Sequence, residues 1–185
     1  SEEGGVVTNG MSFSDRAGEN ANSAVLVTVQ PKDFPYPGAL GGVQWQREIE
    51  EKAYRLSGGY RAPAQLFGDF LEGRASTEQG SVRPTYLPGV HWCDLHEVLP
   101  PIITENLKKG IVDLDKRLKG FASGDAVLTG PETRSSSPVR IVRDAENKTV
   151  LPGLYPAGEG AGYAGGIMSA AVDGMMCAEA LIANL

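Results

Sequence analysis

The run Pro152-Gly153-Leu154-Tyr155-Pro156-Ala157-Gly158-Glu159-Gly160-Ala161-Gly162-Tyr163-Ala164-Gly165-Gly166-Ile167-Met168 predicts a short strand, a glycine loop and the start of a helix. From Ile167 onward, Met168, Val172, Met175, Met176, Ala180, Leu181 and Leu185 recur at helical spacing, which puts Gly165 and Gly166 at the helix start. A helix start offers unpaired N–H groups and partial positive charge to an anion. Glycine lets a ligand approach the backbone, because no Cβ intervenes and positive φ costs little. Glu159 repels a phosphate, but its carboxylate accepts hydrogen bonds from sugar or ribityl hydroxyls. Gly158, Glu159, Gly165, Gly166, Ile167 and Met168 therefore form a candidate cradle for a polyol phosphate. The competing reading of the same glycines is a tight loop that packs a helix against a strand.

Upstream of the cradle, residues 125–129 and 139–143 read as strands; the second alternates apolar and basic residues, which puts Arg140 and Arg143 on a solvated face. Between them lies Glu132-Thr133-Arg134-Ser135-Ser136-Ser137-Pro138. Arg134 presents a planar fork suited to a carboxylate, so Arg134 and Ser135 read either as neighbours of a ligand or as a polar turn entering a strand. Further back, Ile103, Leu107, Ile111, Leu114 and Leu118 follow Pro100-Pro101 at helical spacing, with Gly110 weakening the helix by about 1 kcal/mol. Residues 61–71 predict a short helix opened by Pro63, and residues 76–89 a polar loop. An amphipathic helix places Val43 or Trp45, Ile49, Ala53 and Leu56 on one face, with Arg47, Glu48, Glu50, Glu51 and Lys52 elsewhere, and ends at Gly58-Gly59. Residues 24–29 predict a strand rich in β-branched side chains. Strands and helices without regular βαβ alternation predict an α+β body.

Composition excludes several classes. With 185 residues and 41% hydrophobic content the chain can bury a sizeable core. A net charge of -6, with the basic residues scattered, argues against a nucleic-acid surface. No apolar run approaches the roughly 20 residues needed to cross a bilayer. Two cysteines fit a reducing, cytoplasmic setting better than a disulfide scaffold. His91, Cys93 and His96 bring three potential ligands close together, but a closed zinc site needs four and no second cluster follows, so no metal is expected. Asn9, Asn20 and Asn22 read as turn residues rather than ligand contacts.

The glycine loop around Glu159, the run Leu128-Thr129-Gly130-Pro131-Glu132-Thr133-Arg134-Ser135-Ser136-Ser137-Pro138-Val139-Arg140-Ile141, and Val7-Thr8-Asn9-Gly10-Met11-Ser12 with Gly18-Glu19-Asn20-Ala21-Asn22 together resemble one family. It is the uncharacterised FAD-dependent dehydrogenases, also called NAD(FAD)-utilizing dehydrogenases, in the C-terminal portion of a two-dinucleotide-type flavoprotein. The resemblance implies an α+β substrate domain over residues 1–149, with residues 150–185 supplying the last strand and helix of the FAD-binding domain. It implies FAD as the cofactor of the parent protein and a role in shaping its flavin and substrate pocket. Such flavoproteins open with a strand, a G-x-G-x-x-G turn and a helix that grip the ADP half of FAD. The present sequence has only Gly158-Glu159-Gly160-Ala161-Gly162. This stretch is therefore expected to be part of a longer oxidoreductase, excised or processed, inactive alone and holding FAD weakly or not at all. Its expected partners are the N-terminal FAD-binding portion of the parent chain, an unknown small molecule, or a second copy of itself through the unpartnered C-terminal helix. The alternative is a non-catalytic binding or assembly domain.

Overall fold

Small side chains decide the centre of the sheet. In the computed structural model, which describes residues 1–183, Ala62–Leu66 forms strand β1, whose first four residues are buried. Val90–Trp92 (β2) pairs parallel with one edge, with Ala62 opposite Val90 and Ala64 opposite Trp92. Val127–Thr129 (β3) pairs antiparallel with the other edge, with Gln65 opposite Leu128, giving the order β2-β1-β3. Residues 61–71 are thus not one short helix. They are β1 followed at once by a helix, Phe67–Glu72, closed by Gly73 in the left-handed conformation. The reason is tertiary: Ala62, Ala64 and Gln65 are fully buried, and their slender side chains let other layers approach both faces of the strand. Pro63 donates no hydrogen bond, yet its carbonyl accepts from the Gly130 N–H at 3.1 Å.

The periodic helices form where the spacing places them. Helix α1 spans Gly41–Ser57 and buries Trp45, Ile49 and Ala53; Gly58 ends it at φ 65°. Phe67–Glu72 is α2. Helix α3, Pro101–Asp115, starts with proline at its first turn and runs unbroken through Gly110. Helix α4 spans Ile167–Ile182 with Gly166 as its N-cap; Leu185, counted above in its apolar spacing, lies outside the described residues. Three expected strands are missing. Residues 24–29 keep the alternation, with Val25, Val27 and Val29 half-buried, but no neighbouring strand pairs with them. Residues 139–143 and 152–156 are likewise irregular.

The chain divides into two compact units, one made of Ser1–Gln30 with Gln46–Thr133, the other of Pro31–Trp45 with the residues from Arg134 onward. In the first, Phe67, Phe70, Cys93, Leu95 and Ile111 form the buried core, flanked by Leu56, Leu99, Leu107, Phe121 and Leu128. Glu50, expected among the solvated charges of α1, is buried instead. Its carboxylate accepts from the Thr133 hydroxyl at 2.6 Å, and its backbone carbonyl accepts from Val6 N–H at 3.0 Å. In the second unit the Phe34 and Trp45 rings meet at 5.7 Å. A Cβ on Gly42 would come within 2.9 Å of both Phe34 and Pro138, so this close packing admits only glycine.

Candidate functional site

The glycine loop and the start of α4 lie in the second unit and are built on each other. The loop closes on itself through Gly162 N–H to Glu159 O (2.9 Å) and Tyr163 N–H to Gly158 O (3.0 Å). Gly158 (φ 71°) and Gly162 (φ 84°) both take left-handed backbone conformations that side chains resist. A Cβ at Gly158 would touch Ala170 of α4 at 3.6 Å, and the Gly158 N–H is given to the Asp173 carboxylate at 2.7 Å. Gly158 therefore packs the loop onto the helix rather than offering its N–H to a ligand.

The remaining cradle residues face outward. Glu159, Gly165, Gly166, Ile167 and Met168 are exposed, the last two at 90% and 75%. A Cβ at Gly165 would meet nothing within 4 Å, and one at Gly166 only the Ser169 hydroxyl at 3.7 Å. No side chain caps α4; the Ser169 hydroxyl turns back to the Gly166 carbonyl at 2.9 Å. Its first-turn amides have no partner within the helix. An uncapped, positively polarised helix start, and an exposed carboxylate on the loop that packs against the same helix, supply the kinds of donor and acceptor that a polyol phosphate takes.

The upstream run meets this loop through Ser137, Arg140 and Ile141. The Ser137 hydroxyl lies 2.9 Å from Val139 O and 3.1 Å from Gly160 O. Ile141 N–H donates to Ala161 O at 3.1 Å and Arg140 Nε to Gly162 O at 3.1 Å. Arg134 is exposed and Ser135 half-buried on the approach to Ser137. Arg143, assigned above to a solvated face, is instead half-buried, its side chain 9% exposed. It pairs with Asp173 through both guanidinium ends, donates to Pro156 O at 2.7 Å, and lies over the Tyr163 ring at 3.6 Å. The alternation of apolar and basic residues carried no trace of this, because its acceptors sit far along the chain.

The Arg143 guanidinium and the Gly158 amide hold the Asp173 carboxyl down at about 2, against an ordinary 3.8. A depressed folded-state value stabilises the fold above pH 3.8, and that contribution is lost as pH falls toward 2. The charge is worth on the order of 1–2 kcal/mol after allowing for solvent screening. In urea unfolding of the full chain, Asp173→Asn is expected to lie below wild type at pH 6 and to converge on it near pH 2. A gap that does not narrow on acidification would refute the assignment.

The first unit holds the other candidates. The Asn20 side chain donates to Arg83 O at 2.7 Å and that of Asn22 to Met11 O at 3.2 Å, as turn residues do. His96 Nδ1 lies 2.5 Å from the Asp94 carboxylate, and its ring stacks on Phe70 at 4.8 Å. Among the described residues no three His, Cys, Asp or Glu side chains are placed to hold a metal ion. Burial, reinforced by Glu97 and Asp94, pushes the Cys93 thiol up to about 11, although a backbone hydrogen bond with Ala64 acts the other way. Cys93 is thus a thiol at neutral pH and makes a poor nucleophile. At pH 8 iodoacetamide is expected to alkylate it more than a hundredfold more slowly than a free cysteine, by peptide mass spectrometry; modification at the free rate would show the site to be open.

Comparison with known proteins bears on both units. The model of the family described as FAD-dependent protein, C-terminal domain-like, matches residues 1–135, well over half of the chain. The chain belongs to this family. An uncharacterized protein of Clostridium beijerinckii is 52% identical over 184 residues, an alignment that takes in 98% of this chain and 34% of the relative. The chain therefore spans about a third of that relative's length. The family match includes Arg134 and Ser135 but ends before the glycine loop, whereas the relative aligns across nearly the whole chain. Among the described residues no helix is long and apolar enough to cross a membrane.

Proposed function

With membership of that family as the premise, we propose that this chain is the C-terminal part of a FAD-dependent oxidoreductase and shapes its flavin and substrate pocket. The observation that carries the reading is the open, uncapped start of α4, with the loop of Glu159 packed against the same helix, in a chain of a FAD-dependent family. Glu159 accepts hydrogen bonds from hydroxyls of the cofactor. The N–H groups of Gly166, Ile167 and Met168 face its phosphate or the pyrimidine edge of the flavin. Gly158 and Gly165 keep the loop close to the helix and the approach clear of side chains. Arg134 and Ser135 stand on the substrate or flavin side. When bound, FAD supplies the electron transfer; this chain binds and orients it.

The partner is the remainder of the same polypeptide, with its N-terminal FAD-binding portion. Ile167, Met168, Met175 and Ile182 of α4 are each more than 60% exposed, a contiguous apolar face of the kind that marks an interaction surface. About two thirds of the relative's length lies outside the part matched here, and the corresponding residues of the parent chain are the proposed covering. The same apolar face also suits a non-catalytic assembly domain.

Flavin content separates the two. The full-length protein is expected to purify yellow, and Glu159→Ala combined with Gly166→Trp to reduce flavin occupancy at least tenfold, measured as absorbance near 450 nm per mole of protein. Undiminished occupancy in the double variant would discard the cofactor assignment and leave the assembly reading.

A further inference from the structure

We propose that Arg143 and Asp173 are positioning residues for the flavin site, clamping the segment Pro156 to Gly158 onto α4 and so fixing where Glu159 and the helix amides stand relative to each other. The inference rests on the flavin reading above.

Asp173 lies seven residues into the helix from its Gly166 cap, roughly 10 Å along the axis. One of its oxygens, Oδ2, accepts the Gly158 N–H at 2.7 Å and an Arg143 Nη1 proton at 3.0 Å; the other accepts from Nη2. Nη1 also points to Pro156 O at 2.7 Å and Cys177 Sγ at 3.1 Å. Its two protons serve three acceptors, so one bond is shared. Both ends of the tripeptide preceding Glu159 are thereby tied to one ion pair. The Tyr163 hydroxyl, which accepts from Arg143 N–H at 3.1 Å and donates to Ile141 O at 3.1 Å, ties the far side of the loop to the same arginine.

An ion pair with side chains 9% and 13% exposed is an expensive way to hold a loop. Apolar residues of similar volume often stabilise as well or better. What they lack is direction. A bidentate arginine fork fixes the carboxylate plane, and the carboxylate in turn aims the Gly158 amide. Glu159 follows at the next peptide bond. A cradle whose acceptor sits on the loop and whose donors sit on the helix works only when the two are held in register, because misplacement by about 1 Å is already costly.

The test uses the full-length protein and two readouts. FAD affinity is measured by flavin fluorescence for Asp173→Ala, Asp173→Asn and Arg143→Lys, and amide hydrogen exchange is followed in the flavin-free forms. Asp173→Ala is expected to weaken FAD at least tenfold and to speed exchange at residues 158–168, with β1 amides unchanged. Asp173→Asn, which can still accept from Gly158, is expected to recover part of the affinity. An Asp173→Ala protein with intact β1 protection and FAD affinity within twofold of wild type would overturn the proposal. So would uniform loss of protection across β1 in all three variants, which marks a merely structural pair. If the Glu159→Ala, Gly166→Trp protein empties while Asp173→Ala stays full, the clamp fails and the flavin reading stands; if the double variant stays full, both fall.

Discussion

Gly162→Ala is expected to destabilise the second unit by about 3 kcal/mol or more, the combined effect of two penalties that a single methyl group incurs. The first is conformational. At φ 84° the residue occupies the left-handed region, where a non-glycine residue costs about 1–3 kcal/mol. The second is steric: the new Cβ would stand 2.5 Å from the Val139 carbonyl oxygen and 3.0 Å from Arg140 Cα. Both are backbone atoms, so no side chain can swing aside, and the loop itself must move. Moving it breaks Ile141 N–H to Ala161 O and Arg140 Nε to Gly162 O. Urea unfolding followed by Trp45 fluorescence in a Trp92→Phe background is the direct measure, with Gly160→Ala as the control because a Cβ there meets nothing within 4 Å. Equal midpoints for the two variants would show that the close approach of residues 139–140 to the loop does not exist in solution.

The long helices were legible in the sequence, as was β3 within the strand expected at residues 125–129, and the centre of the sheet was not, for a physical reason. Trp45, Ile49 and Ala53, or Ile103, Leu107 and Ile111, repeat within one element, so each helix carries its own signal. Strand β1 carries none. Ala62-Pro63-Ala64-Gln65 is extended because β2 and β3 flank it, and nothing in those four residues announces neighbours drawn from positions 90 and 128. The reverse happened at residues 24–29, where strong β propensity found no partner strand. The site divides in the same way. The start of α4 could be placed from glycines and apolar spacing, whereas Arg143 and Asp173 could not be paired, because neither residue type nor local pattern says which of the basic and acidic residues will be buried together. The buried Glu50 makes the same point: its partner Thr133 belongs to the distinctive upstream run, but the bond between them joins elements with no local relation.

Gln65→Ala is expected to cost the first unit about 2–4 kcal/mol, because it opens a cavity and leaves a buried amide N–H without its acceptor. Gln65 is fully buried in the central strand. Its Nε2 donates to Arg74 O at 2.8 Å and its Oε1 accepts the Leu95 N–H at 2.9 Å. One side chain thus pins the exit of α2 and the turn after β2 to the sheet. Alanine removes the volume and strands the Leu95 N–H away from water, while the carbonyl of the exposed Arg74 loses its donor. Gln65→Leu separates these effects, since it restores most of the volume and none of the hydrogen bonds. If polar satisfaction dominates, the leucine variant stays within about 1 kcal/mol of alanine in urea unfolding. If the cavity dominates, leucine returns most of the lost stability. The first outcome is expected, because Asp94 Oδ1 also lies 3.4 Å from the Gln65 amide. Removing that donor loosens the carboxylate that holds His96, so the leucine variant should also show a displaced His96 imidazole resonance; an unmoved resonance with near-native stability would refute the polar account.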